Sequence, residues 1–314
     1  MPALQLPGIC LNALQLPKAP SAHADADIVM IHGLATSLAF WFGIASSMFT
    51  RLGRVTLYDL RGHGYSEMPE HGYSAKTLAK DLERLLDHFN INSAHIVAHS
   101  FGGMIALCFA LLHPERVKSL VLADVRIWSV DRASAFRRGP HVRRLREAGL
   151  KLDDSSTDLG IQVLTELARL KLSRPKAAAA ISHILTSSPN VMGQRNAQRW
   201  LTLLSNTFAY ADITGGDNFT ARDLRKLTQP VLAVYGENSS ALRSARALQR
   251  SIPTCNVQIV PGAGHFFPLT RPKLFAETAA AFLSPLIDDN VVECNAIAPQ
   301  TGSAPLARHF LPQA

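Results

Sequence analysis

Short apolar runs along this chain end abruptly in glycine or polar turns. Between them stand longer stretches with an apolar residue at every third or fourth position. Ile9 to Leu16 alternates loosely and predicts an early strand, and Asp27 to Ile31 (DIVMI) and Arg54 to Tyr58 (RVTLY) predict two more. Ser74 opens a helix whose apolar positions are Leu78, Leu82, Leu85, Leu86 and Phe89. Ala94 to Ala98 predicts a strand that runs into the turn His99-Ser100-Phe101-Gly102-Gly103, with a helix from Met104 to Leu112. His113-Pro114 stops that helix, and Val117 to Ala123 (VKSLVLA) predicts the next strand.

The alternation then ceases. From Val125 to Gln229 the pattern offers helices alone, at Ser134–Glu147, Gly160–Leu172, Lys176–Leu185 and Val191–Leu204. Strands return at Pro230 to Tyr235 (PVLAVY) and Asn256 to Val260 (NVQIV). A last helix, Pro272 to Leu283, carries Leu274, Phe275, Ala279 and Phe282 as its apolar positions. Strands alternating with helices, several of them continuous apolar runs, predict an α/β fold with a mostly parallel central sheet covered on both faces. The expected organisation is a core of residues 1–124 and 230–287, a helical lid inserted at 125–229, and a C-terminal tail or extension at 288–314, where Asn, Pro, Gly, Ser and Ala dominate.

Composition narrows the class. In 314 residues, 47% hydrophobic and 18% charged content is that of a globular protein able to bury a large core. No apolar run reaches the roughly 18 residues of a membrane span. The first residues lack a basic start followed by an apolar core, so the expected location is the cytoplasm. Cys10, Cys108, Cys255 and Cys294 are far apart with no C-x-x-C, which predicts free thiols and no zinc site. The net charge of +8 is concentrated: Val125 to Lys151 holds seven Arg and one Lys against Asp131 and Glu147. Without interleaved aromatics or a nucleic-acid module, this reads as a solvated basic helix or a surface for an acidic substrate or partner, not as a nucleic-acid site.

The chemistry gathers at Ser100. A serine on a sharp strand-to-helix turn is lifted from the sheet, and the first amides of the helix carry partial positive charge beside it. The usual pattern of such an elbow is G-x-S-x-G, and here its first glycine is Ala98. Further signals follow other strands in order: His32-Gly33, then Asp59-x-Arg61-Gly62-His63-Gly64-x-Ser66, and near the end Gly262-Ala263-Gly264-His265. With the Ser100 elbow and the helical insertion, these motifs resemble the α/β-hydrolase superfamily over roughly Ile9 to Pro285.

The resemblance implies an α/β-hydrolase fold with a helical lid and a cofactor-independent serine esterase or thioesterase working through an acyl-enzyme. Ser100 would be the nucleophile and His265 its base. The backbone amides of Leu34 and Phe101 would form the oxyanion hole. His32 and His63 would brace loops, and His99 would pack beside the elbow. A nucleophilic Asp, as in dehalogenases and epoxide hydrolases, is excluded because Ser100 holds that position.

The chain departs from the family at the triad acid. Where most members carry an Asp, the loop Gly236-Glu237-Asn238-Ser239-Ser240 has Ser239. Three accounts stand: the acid has moved to Asp124, as in carrier-linked thioesterases and certain lipases; Glu237 reaches His265; or there is no acid, and the protein runs slowly or does something other than hydrolysis, as a non-hydrolytic enzyme (acyl transfer, cyclisation, C–C cleavage) or a pseudo-enzyme. Asp124 shares a strand side with Leu120 and Leu122, so it reaches the crevice only if the chain bends there. Trp128 and Trp200 are the expected acyl-binding aromatics, with Phe136, Leu204, Phe208 and Tyr210 offering similar surface. Arg137 and Arg138, with Arg143, Arg144 and Arg146, point to an anionic acyl substrate, presented by an acidic carrier protein or coenzyme A.

Overall fold

The computed structural model describes residues 3–22, 25–130, 140–153, 158–186, 192–215, 219–220 and 222–295. A small hairpin, β1 (Leu4–Leu6) with β2 (Ile9–Leu11), precedes the main sheet. Seven strands make that sheet: β3 (Ala13–Leu16), β4 (Asp27–Ile31), β5 (Arg54–Tyr58), β6 (Ala94–His99), β7 (Val117–Ala123), β8 (Val231–Gly236) and β9 (Cys255–Val260). Their spatial order is β3-β5-β4-β6-β7-β8-β9, parallel throughout except for β3 against β5.

The expected single strand over Ile9–Leu16 is split at Asn12. There the backbone N–H donates to Ser66 Oγ (2.9 Å) and the side-chain amide to Asp59 Oδ2 (2.7 Å). Asn12 thus spends its hydrogen bonds on the β5 loop, and the two halves pair with different strands.

Period two along the central strands divides their side chains between two cores. Val29, Ile31, Ile96, Ala98, Leu120, Leu122, Ala233 and Tyr235 face one layer. Ile28, Met30, Val97, Val121, Ala123, Leu232 and Val234 face the other. The first layer is covered by α2 (Ala75–His88) and α3 (Phe101–Leu112). On α2 the Ser74 hydroxyl accepts from Thr77 N–H as the N-cap, and Leu78, Leu82, Leu85 and Leu86 are buried. Each such leucine contributes about 1.5–3 kcal/mol of burial. The second layer is covered by α1 (Ala39–Ser47) and a terminal helix, Pro272–Asn295.

Between β7 and β8 the described residues form helices and one 3₁₀ turn, with no strand: α4 (Pro140–Glu147), α5 (Leu159–Ser173), α6 (Pro175–Thr186), α7 (Gln194–Asn206) and α8 (Ala209–Thr214). Beyond β8 come α9 (Leu242–Ser251), α10 (Phe267–Thr270) and the terminal helix, α11. No helix among the described residues is long and apolar enough to cross a membrane.

The last helix takes in 288–295 of the expected tail or extension, and 296–314 lie outside the described residues. It runs to Asn295 through Pro285. Phe275, Ala279, Leu283 and Ile287 recur every fourth residue and are buried in the second core. That continuous stripe outweighs the one backbone donor the proline removes. Leu274, expected on the apolar face, is exposed instead.

Candidate active site

Strand β6 delivers Ser100 to a strained backbone at φ 55° and ψ −121°, and α3 begins at the next residue. Such a conformation persists only where the surroundings over-determine it. Ser100 N–H donates to Ala123 O on β7 (2.9 Å), and Gly103 N–H donates back to Ser100 O (3.0 Å). Close packing of α3 on β4 needs Gly102: a Cβ there would stand 2.6 Å from the carbonyl oxygens of Ile31 and His32. Backbone atoms cannot swing aside. Gly102→Ala is therefore expected to lower stability by about 3 kcal/mol, read as a fall in the urea midpoint with an unchanged m-value.

His265 sits in the turn after β9, between the serine and a carboxylate. Its Nδ1 lies 2.8 Å from Asp124 Oδ1 and its Nε2 lies 3.0 Å from Ser100 Oγ. A carboxylate only accepts, so Nδ1 carries the hydrogen and the Nε2 lone pair faces the serine hydroxyl. Asp124 is fully buried, whereas the His265 side chain is about one-third exposed.

The bend that Asp124 requires is present. Strand β7 ends at Ala123, and Asp124 takes a left-handed backbone with φ 51°. Asp is among the few residues besides Gly that tolerate this region. Asp124 N–H donates to Val234 O (2.8 Å), which anchors the bend to β8. The carboxylate accepts from Gly236 N–H on Oδ2 (3.0 Å) and from Ser239 Oγ–H on Oδ1 (2.5 Å). Glu237, the other candidate acid, points elsewhere: its Oε2 accepts from Gly262 N–H at 2.7 Å.

Leu34 and Phe101 line the same cavity as Ser100. Phe101 is the first residue of α3, so its N–H has no acceptor within the helix. Leu34 is oriented through the preceding peptide. Gly33 O accepts from His32 Nδ1 (2.7 Å) and from Thr36 Oγ1 (2.9 Å), while His32 Nε2 accepts from Leu60 N–H (3.0 Å). In a trans peptide the N–H points opposite to its carbonyl. Holding Gly33 O therefore turns Leu34 N–H the other way. Gly33 also closes on the elbow, because a Cβ there would lie 3.0 Å from Ser100 Cβ.

The three other histidines of these motifs, His32, His63 and His99, are buried. Desolvation lowers His32, pushes His63 down to about 3 and holds His99 well below the usual imidazole range. His99 stacks on Phe40 and donates from Nε2 to His265 O (3.0 Å), so it steadies the backbone of His265. Phe266 lies edge-on to the His265 ring, with centroids 4.9 Å apart.

A cavity of about 120 Å³ opens beside Ser100 and His265. Leu34, Phe101, Trp128, Ile161, Val163 and Leu164 give it an apolar wall. Trp128 lines it and stacks on Phe101, with centroids 6.1 Å apart. Trp200 does not reach it. That residue is buried beneath α5, with its indole N–H donating to Thr165 Oγ1 (3.2 Å) and its ring against His63. The amphipathic period of α7 turns it into the core, which corrects its expected role in substrate binding. Phe208 is exposed and stacks on His71 instead. Phe136, Arg137 and Arg138 lie outside the described residues.

Sequence reasoning missed two features of this cavity. One is Ser239 as a donor to Asp124; its sequence signal was only that an uncharged residue stood at the usual acid position. The other is a largely buried ion pair, Arg126 to Asp158 (2.9 Å), at the cavity edge. Asp158 also caps α5 by accepting from Ile161 N–H (2.9 Å), a cap readable from an Asp before an apolar periodic run.

A family model described as alpha/beta hydrolase fold matches residues 28–272. This chain belongs to the α/β-hydrolase family. It is 28% identical over 270 residues to a putative carbamate hydrolase, RutD, from Caulobacter sp. (strain K31), covering 82% of this chain and 90% of that protein. It is 27% identical over 263 residues to the sn-1-specific diacylglycerol lipase ABHD11 of Danio rerio, covering 82% and 78%. Among solved structures, the enol-lactonase from Burkholderia xenovorans LB400 superposes with a TM-score of 0.62 at 21% identity, covering 90% of this chain and all of that one. An α/β-hydrolase whose relatives include hydrolases is an enzyme of that type, and the seven-stranded sheet above is the fold of the family.

Proposed function

We propose that this α/β-hydrolase is a serine hydrolase that cleaves an ester or thioester through an acyl-enzyme. The observation supporting this reading is the single imidazole between Ser100 Oγ and Asp124 Oδ1, at 3.0 and 2.8 Å. A serine hydroxyl is a weak nucleophile without a base. Here His265 Nε2 takes the proton as Oγ attacks the acyl carbon, and buried Asp124 stabilises the imidazolium that forms. The Leu34 and Phe101 amides receive the oxyanion. The leaving alcohol or thiol takes the proton from His265. Water then repeats the sequence on the acyl-enzyme and frees the acid.

The apolar wall suits an acyl chain, with Trp128 against it. Helices α4 to α8 act as the lid, and Ile161, Val163 and Leu164 on α5 close the acyl site. Exposed Arg143 and Arg144 on α4 support presentation of an anionic or carrier-linked substrate. The non-hydrolytic alternative drew on Ser239 in place of the acid; Asp124 Oδ1 lying 2.8 Å from His265 Nδ1 supports the hydrolytic reading.

The test is intact-protein mass spectrometry with a fluorophosphonate probe, alongside hydrolysis of short-chain p-nitrophenyl esters and acyl thioesters. The expected result is one probe adduct on wild type, none on Ser100→Ala, and turnover of at least one substrate class. A folded wild type that takes no adduct and hydrolyses neither class overturns the reading.

A further inference from the structure

We propose that Ser239 is a positioning residue, a hydroxyl that fixes the Asp124 carboxylate so that one oxygen meets His265. The inference rests on the reading above and adds a member to its machinery.

Three observations carry it. First, Asp124 Oδ1 receives two donors, Ser239 Oγ–H at 2.5 Å and His265 Nδ1–H at 2.8 Å, while Oδ2 takes Gly236 N–H at 3.0 Å. The carboxylate is fully buried, so these donors replace its hydration. Second, the direction of the hydroxyl is set. Ser239 Oγ accepts from Ala241 N–H at 2.9 Å, which occupies a lone pair and leaves its one hydrogen for Asp124. Third, Asp124 rides on a left-handed residue just past the end of β7. Its own backbone leaves the carboxylate free to turn about its side-chain torsions, and the β8 loop stops that turning from two sides, at Gly236 and Ser239.

Charged and titratable groups stand near the pair on several elements among the described residues. His99, neutral through burial, packs on His265 from β6. Arg126 and Asp158 pair with each other at the cavity edge. Glu237, on the β8 loop, is held by Gly262 N–H. Ser239 and His265 both direct side-chain donors at Asp124 Oδ1. The residue standing where most of the family carries its acid has thus become the partner of an acid supplied by the neighbouring strand.

The test compares Ser239→Ala with Ser239→Thr, which keeps the hydroxyl. Each is checked for folding by thermal melting, then read for kcat, KM, fluorophosphonate labelling rate and the far-downfield proton resonance of His265 Nδ1–H. Ser239→Ala is expected to lower kcat and the labelling rate about tenfold, with KM within about twofold of wild type, and to shift the downfield resonance. Ser239→Thr recovers most of the rate and keeps the resonance in place. A Ser239→Ala protein with wild-type rates and an unmoved resonance overturns the proposal. So does a Ser239→Thr protein as slow as Ser239→Ala, since loop packing would then be the cause. The resonance needs no turnover, so it tests Ser239 even if wild type fails to label and the hydrolase reading falls.

Discussion

Ser100→Ala, His265→Ala and the double variant are each expected to lose about 10⁶ in kcat, with the double no slower than either single. The reason is geometric. The hydroxyl and the imidazole share one hydrogen bond of 3.0 Å, and each is useless to the reaction without the other. Removing the imidazole leaves a serine with its ordinary reactivity. Removing the hydroxyl leaves a base with nothing to deprotonate. The residual rate in all three should be alike, because the proposed oxyanion amides of Leu34 and Phe101 belong to the backbone and survive every one of these changes. Ester hydrolysis by wild type and the three variants, under saturating substrate, gives the comparison. Costs that add up in the double variant would mean that Ser100 and His265 act separately, and the acyl-enzyme route would fail with them.

Asp124→Asn is expected to lower kcat by about 10⁴ with little change in KM, while Glu237→Gln stays within about twofold of wild type. Asn is the informative substitution because it keeps the shape of Asp and tolerates the left-handed backbone at this position. What it changes is the proton inventory. An amide NH₂ turned toward His265 demands an acceptor at Nδ1, which moves the imidazole hydrogen to Nε2 and points it at Ser100. The base then has no lone pair for the hydroxyl. An amide oxygen turned toward His265 keeps the tautomer but loses the charge that stabilises the imidazolium. Glu237 is insulated from all of this, because its carboxylate holds Gly262 N–H on the far side of the loop. Steady-state kinetics on the two variants distinguish them, and a large loss in Glu237→Gln with a small one in Asp124→Asn would reverse the assignment.

Much of this could be read from local pattern. The strand, turn and helix around Ser100 were legible because the apolar run, the paired glycines and the apolar helix each have a short-range cause. His32-Gly33 and the Gly262 to His265 turn were legible for the same reason. Two long stretches misled in instructive ways. Pro285 and the polar residues after it resemble a tail, yet Phe275, Ala279, Leu283 and Ile287 continue one buried stripe across the proline. Trp200 resembles a pocket aromatic, yet only the packing of α7 on α5 decides that its indole faces Thr165 and not the cavity.

The acid marks the boundary between the two kinds of information. Sequence determined the family pattern, the nucleophile and base candidates, and the fact that the usual acid position holds Ser239. Which carboxylate takes over depends on the left-handed bend after β7, on the register that sets Asp124 N–H against Val234 O, and on the path of the β8 loop. Those are contacts between segments about 110 to 140 residues apart. Local pattern carries strand and helix because their hydrogen bonds and side-chain period are local. Two hydrogen bonds converging on one carboxylate oxygen are a property of three chain segments meeting, and only the tertiary structure brings them together.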